Sequence, residues 1–177
     1  MTSIVWFRRD LRLSDNPALL QGLGQLDGHG PGQDALALYI LDPRLWAPAS
    51  PTRRAYLLDS LQALKQDLDG RLEVRWGKPL EVLSHLAREL ESPTVHIAAD
   101  YGPYGRRRDA ETSQALANLG TELIATGSPY AVAPGRVRKA DGERYRVFTP
   151  FRSAWLDHGW RSPVPAPVNP SWIDPAD

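Results

Sequence analysis

Ile4-Val5-Trp6-Phe7-Arg8-Arg9-Asp10-Leu11-Arg12-Leu13-Ser14-Asp15-Asn16-Pro17 sets the architecture of this chain. The apolar run Ile4 to Phe7 reads as a buried strand that opens directly into a charged loop. Asn16-Pro17 then reads as a helix start, a capping side chain followed by proline at the first helical position. Open α/β sheets bind ligands beyond the carboxyl ends of their strands, so charges gathered at such an end point to a crevice.

Working outward, strand and helix patterns alternate. Gly22 to Gln33 is glycine-rich and polar and reads as a loop. Ala35 to Ile40 is a continuous apolar run, typical of a central parallel strand covered on both faces, and Leu41-Asp42-Pro43 ends it. Leu57, Leu61, Leu64 and Leu68 recur at the period of an amphipathic helix that Asp69-Gly70 stops. Leu72 to Trp76 alternates apolar and polar residues, which suits a strand nearer the sheet edge. Leu83, Leu86, Ala87 and Leu90 form another helical stripe, and Val95 to Ala99 another buried strand ending at Asp100. A helix over Gly105 to Leu119 and a strand over Thr121 to Ile124 complete the series. The reading is an α/β fold: a doubly wound, five-stranded parallel sheet with helices on both faces, Rossmann-like.

Residues 1–130 read as the α/β domain. Residues 131–161 read as a connection with little regular structure, apart from a short aromatic helix opened by Thr149-Pro150 and carrying Phe151 and Trp155. Prolines at 163, 165, 167, 170 and 175 make 162–177 an extended, semi-rigid linker.

With 177 residues the chain fits one domain, enough to bury roughly 70% of its unfolded surface. Formal net charge is zero, against the domain-wide positive field of a protein that coats nucleic acid. There are no cysteines, which excludes disulfides, thiol nucleophiles and thiolate-bound metals. His29, His85, His96 and His158 are scattered, without metal-ligand spacing, and His96 inside a strand reads as structural. No apolar stretch reaches membrane-spanning length and no signal peptide is visible, so the expectation is a cytoplasmic protein without a membrane partner.

Strand ends carry the candidate site. Arg8 and Asp10 follow the first strand, Asp42 the second, and Asp100 the fourth. In the doubly wound order these strands are neighbours and their polar ends share one crevice. Arg106-Arg107-Arg108 fall in the first turn of the expected helix, where cations oppose the macrodipole at ~0.3 kcal/mol or more each. An anionic ligand, Asp42 or Asp100 would compensate them. Tyr101 and Tyr104 flank this loop and offer aromatic walls, whereas Trp6 and Phe7 read as core. The dinucleotide glycine pattern, the phosphate-loop lysine and the nucleophile elbow are all missing, so the domain reads as built to hold a ligand.

Four segments resemble the photolyase/cryptochrome family, in order along the chain: Trp6 to Asn16, Leu41-Asp42-Pro43, Asp100 to Gly105 with Arg108-Asp109, and Tyr145 to Phe151 with Trp155. The resemblance is to the family's amino-terminal α/β domain, which binds a light-harvesting antenna chromophore. It implies that a helical domain beyond the linker, absent from this sequence, would hold catalytic FAD and the UV-damaged DNA. It further implies a cyclobutane-pyrimidine-dimer photolyase in full-length form, in which excited reduced FAD lends an electron to split the dimer. This chain would then be a monomeric antenna fragment or truncated product, inactive alone.

Asp100-Tyr101-Gly102-Pro103-Tyr104-Gly105-Arg106 looks like the pattern of members with a deazaflavin or flavin antenna, and the Asn-Glu pair of folate users is missing. The resemblance thus implies deazaflavin, FMN or FAD rather than folate. It places the chromophore against Tyr39, Ile40, Leu41 and Asp42, with Arg53, Asp100 and Arg108 as polar contacts and Tyr101 and Gly102 beside them. Gly102 stands where deazaflavin binders often carry glutamate, a departure that bears on which chromophore binds. Two competing readings are a cryptochrome-type signalling module and a standalone nucleotide-binding α/β protein.

Overall fold

The computed structural model describes residues 2–26 and 33–174. The central part of the loop expected over 22–33, His29 and Pro175 therefore lie outside the described residues.

Five strands, β1 (Thr2–Phe7), β2 (Asp34–Leu41), β3 (Leu72–Trp76), β4 (Thr94–Ile97) and β5 (Glu122–Ala125), form one parallel sheet in the order β3-β2-β1-β4-β5. This is the doubly wound arrangement, and β3 lies at an edge as its alternating sequence predicts.

Strand side chains alternate between two cores. Ile4, Trp6, Leu36, Leu38, Ile40, Val95 and Ile97 face one side; Val5, Phe7, Ala35, Ala37 and Leu72 face the other. The first side is covered by α4 (Pro79–Glu89) through Leu83, Leu86 and Ala87, and by α5 (Pro103–Ala117) through Leu116. The second is covered by α1 (Pro17–Gly22) through Leu19, and by α3 (Pro51–Asp67) through Leu61 and Leu64. The short α2 (Pro43–Trp46) turns the chain from β2 towards α3. Burying both faces explains the unbroken apolar runs of β1 and β2.

Asn16 caps α1 as expected, accepting the Leu19 amide at 3.2 Å. Helix α5 starts at Pro103, two residues before the expected boundary, with Gly102 at the cap. That correction moves Arg106, Arg107 and Arg108 into the second turn, where the macrodipole has largely faded.

Residues 126–147 are mostly irregular, and α6 (Phe148–His158) follows with no buried residue. The described part of the proline-rich tract is mostly irregular, and it is tied back onto the domain. The Asp15 amide donates to the Val164 carbonyl and the Val164 amide to the Asp15 side chain, while the Gln25 side chain exchanges two bonds with the Val168 backbone at 2.9 Å. Ser171 and Ile173 bond to both sides of Ala35, so Trp172 bridges β2 ahead of the start of β3.

Candidate functional site

Arg8, Asp10 and Asn16, the polar residues after β1, are bonded within the protein. Asp10, buried, accepts the Arg8 amide at 3.0 Å, and Asn16 donates to the Arg12 carbonyl at 3.1 Å. The Arg8 guanidinium reaches Asp109 on α5 at 2.6 Å and also donates to the Ala98 carbonyl. Burial and the nearby Arg108 cation lower the Arg8 pKa, against the pull of Asp109.

After β2, Asp42 caps α2. It accepts the Arg44 amide at 3.0 Å, the Arg44 side chain at 3.3 Å and the Tyr104 hydroxyl. After β4, Asp100 accepts the Gly102 amide at 3.1 Å and Arg108 at 3.4 Å. Gly105 packs so closely on Asp100 that a Cβ there would stand 2.8 Å from the Asp100 Cβ. Only glycine lets the first turn of α5 pass over that carboxylate.

Arg108 also pairs with Asp109 at 2.8 Å, so two acids balance Arg8 and Arg108. Of the three consecutive arginines only Arg108 is buried; Arg107 pairs weakly with Glu111 at 3.9 Å and Arg106 is exposed.

These strand ends enclose a cavity of about 550 Å³ between α2, α3 and α5. That volume lies within the range of small-molecule sites. Tyr39, Ile40, Leu41, Asp42, Arg53, Asp100, Gly102 and Arg108 line it. Tyr101 is not among the lining residues; its ring packs edge-on against Tyr130, with centroids 6.1 Å apart. The neighbouring Tyr104 takes the wall position instead.

Sequence reasoning missed several lining residues. Trp6 sits in the first core yet reaches the cavity, and Trp46 closes it from α2. Tyr56, Leu57 and Ser60 of α3 line it too, following the expected Arg53 on the same helix. Their spacing from Arg53 of three, one and three is a helical face in its own right, a signal that could have found them.

The site combines flat aromatic walls, a charge-balanced floor and cations from α3, Arg53 and Arg54. Burial and the adjacent Asp42 carboxylate raise the Tyr104 phenol to about 12, and burial raises Tyr39. Both phenols stay neutral at physiological pH. Such a donor set fits a planar, polar ring with an anionic end. Among the described residues no cluster could hold a metal ion, and no helix is long and apolar enough to cross a membrane.

Comparison with known proteins agrees with this geometry. The family model described as DNA photolyase matches residues 3–170. The deoxyribodipyrimidine photo-lyase of Thermus thermophilus is 36% identical over 93% of this chain, and that of Halobacterium salinarum 33% over 98%. The chain spans 36% of the length of each.

Among solved structures, a bacterial class III photolyase from Agrobacterium tumefaciens superposes with a TM-score of 0.83 at 29% identity, over 99% of this chain and 37% of its own. An archaeal photolyase from Sulfolobus tokodaii, solved with two FAD molecules and described as implying a novel light-harvesting cofactor, gives 0.81 at 26%, over 98% and 38%. The sheet and its helices match the amino-terminal α/β domain of those proteins, and the chain belongs to the DNA photolyase family.

Proposed function

We propose that this domain holds a light-absorbing antenna chromophore, a deazaflavin or a flavin such as FMN or FAD, in the cavity beyond β1, β2 and β4. The observation that carries this reading is the cavity itself, about 550 Å³ and walled by Trp6, Tyr39, Trp46 and Tyr104, in a chain of this family. The Sulfolobus photolyase with two FAD molecules supports a flavin as the ligand class.

In the proposal Asp42, Asp100 and Arg108 fix the polar edge of the ring, Ile40 and Leu41 meet its apolar part, and Arg53 meets an anionic end. When bound, the chromophore supplies absorption in the near-ultraviolet or blue. In a full-length protein of relatives' length, the harvested energy serves light-driven repair of pyrimidine dimers in DNA. The protein acts as a monomer in this reading.

The test is direct. The purified chain is titrated with FMN, riboflavin, a deazaflavin and a folate, and bound ligand is read by absorption and fluorescence after gel filtration. Saturable one-to-one binding of a flavin or deazaflavin, weakened at least tenfold by Arg108→Gln, is the expected outcome. A folded chain that retains none of these ligands overturns the proposal.

A further inference from the structure

Three of the aromatic rings that wall the cavity lie under guanidinium groups. The guanidinium carbons of Arg8 and Arg108 each stand 4.9 Å from the centre of the Trp6 ring. Arg54 stands 5.2 Å from Trp46. Arg44 and Arg108 stand 5.4 and 5.7 Å from Tyr104. The sole such pair elsewhere among the described residues is Arg9 over Tyr130. A chain of this length shows roughly two such pairs in all, so their concentration on one cavity needs a reason.

Pairing needs alone do not supply it. Arg8 and Arg108 already have Asp109 and Asp100, and Arg44 has Asp42. Arg54 donates to the Trp46 and Ala47 carbonyls at 3.2 and 2.9 Å.

We infer that these cations insulate an excited ligand from its own aromatic walls. The inference rests on the chromophore reading above and adds a role for residues which that reading leaves aside. Tryptophan and tyrosine are the side chains most easily oxidised in a chain without cysteine, and an excited flavin or deazaflavin ring is a strong one-electron oxidant. The step avoided is transfer of one electron from indole or phenol to the excited ring. The wall residue is oxidised by one electron and the ligand reduced by one. The electron then returns, no bond is made or broken, and the absorbed energy is lost as heat.

A guanidinium over the donor ring opposes the positive charge that this step would leave there. The opposition is strongest where water is excluded. Trp6, 3% exposed, is the most shielded of the three donors. Asp109, Asp100 and Asp42 offset part of the charge on Arg8, Arg108 and Arg44. Among the described residues Arg54 has only neutral carbonyl partners, so its cation above Trp46 is the least compensated and gives the cleanest measurement.

The experiment saturates the full chain with FMN and measures the fluorescence lifetime of the bound fraction, with circular dichroism confirming the fold of each variant. Arg54→Gln is expected to shorten the lifetime at least twofold, and Arg54→Lys, which keeps a cation, to retain most of it. Adding Trp46→Phe to Arg54→Gln brings the lifetime back to that of the Trp46→Phe single variant measured beside it. Arg44→Gln with and without Tyr104→Phe repeats the test at a second ring.

An unaltered lifetime in both single glutamine variants overturns the insulation, as does equal shortening by Arg54→Gln and Arg54→Lys. A several-fold longer lifetime in Trp46→Phe alone overturns it too, because Trp46 would then already be a quencher. Failure of FMN, riboflavin and a deazaflavin to bind removes the chromophore reading as well; binding with unchanged lifetimes removes only this inference.

Discussion

The Tyr104 hydroxyl donates to Asp42, two residues 62 positions apart in the sequence. Asp42 caps α2 after β2, and Tyr104 lies in the first turn of α5 after β4. The bond therefore ties two strand ends across the cavity that both residues line. Burial tends to raise the Asp42 carboxyl, but hydrogen bonds from Tyr104 and Arg44 outweigh it and hold the group below its ordinary value.

Tyr104→Phe removes the hydroxyl and leaves Asp42 with Arg44 alone. We expect a loss of about 1–2 kcal/mol, read from urea unfolding at pH 7. Because the folded carboxyl titrates below its unfolded value, its contribution is complete above about pH 5 and fades as pH falls through the folded value. The gap between wild type and variant should thus narrow below about pH 4. A gap that is constant down to pH 3 would mean that the loss does not come from the bond to the ionised Asp42 carboxylate.

Asp109 bridges two largely buried guanidiniums, Arg8 at 2.6 Å and Arg108 at 2.8 Å. Asp109→Ala leaves both cations short of a partner inside the protein. We expect destabilisation of about 3 kcal/mol, with Asp109→Asn costing less because its amide oxygen still accepts. Thermal unfolding of the two variants side by side measures the difference. Equal loss in both would show that the charge itself matters more than the bridge.

His96 is buried in β4, with one ring nitrogen against Thr94 at 3.0 Å and the other without a partner among the described residues. Burial depresses its pKa to about 4. The unfolded imidazole binds a proton near pH 6.5, so stability should fall as pH drops from about 6.5 to about 4. The loss approaches about 3 kcal/mol at the acid end of that window. His96→Leu, which cannot titrate, should lose less over the same range. Parallel slopes for the two proteins in urea titrations at each pH would refute this.

Trp172 packs against the second core where its backbone bridges Ala35, near the amino end of β2. Trp172→Ala should lower stability by about 1–2 kcal/mol, less than a fully buried tryptophan would cost. The cavity lies at the opposite end of the strands, so FMN affinity should hold within twofold. A large loss of affinity would show that the tail shapes the site.

Much of the fold was legible because buried parallel strands and amphipathic helices write their periods locally. Ile4 to Phe7, Ala35 to Ile40 and Val95 to Ala99 announced themselves as covered strands, the last running two residues past the end of β4 at Ile97, and Leu57 to Leu68 as a helix stripe. The ends of β1, β2 and β4 could be placed together once the doubly wound order was assumed. The proline tract reads as a linker because prolines signal extension equally well in a free segment and in one laid along a sheet. Its partners, Asp15, Gln25 and Ala35, lie more than a hundred residues away and leave no local trace.

The sequence by itself determined the sheet, the capped helix after Asn16, the cluster of acids at the strand ends and the family. Only the tertiary structure decided which side chains face the cavity. Each residue advances a helix by roughly 100°, so the start of α5 at Pro103 turns Tyr104 and Arg108 inward and leaves Tyr101 outside with Tyr130. The same packing puts guanidiniums from the loop after β1 and from α2, α3 and α5 over Trp6, Trp46 and Tyr104. Strand periodicity is a property of neighbours in the chain; a cavity wall is built from the ends of segments that meet only after the sheet has formed.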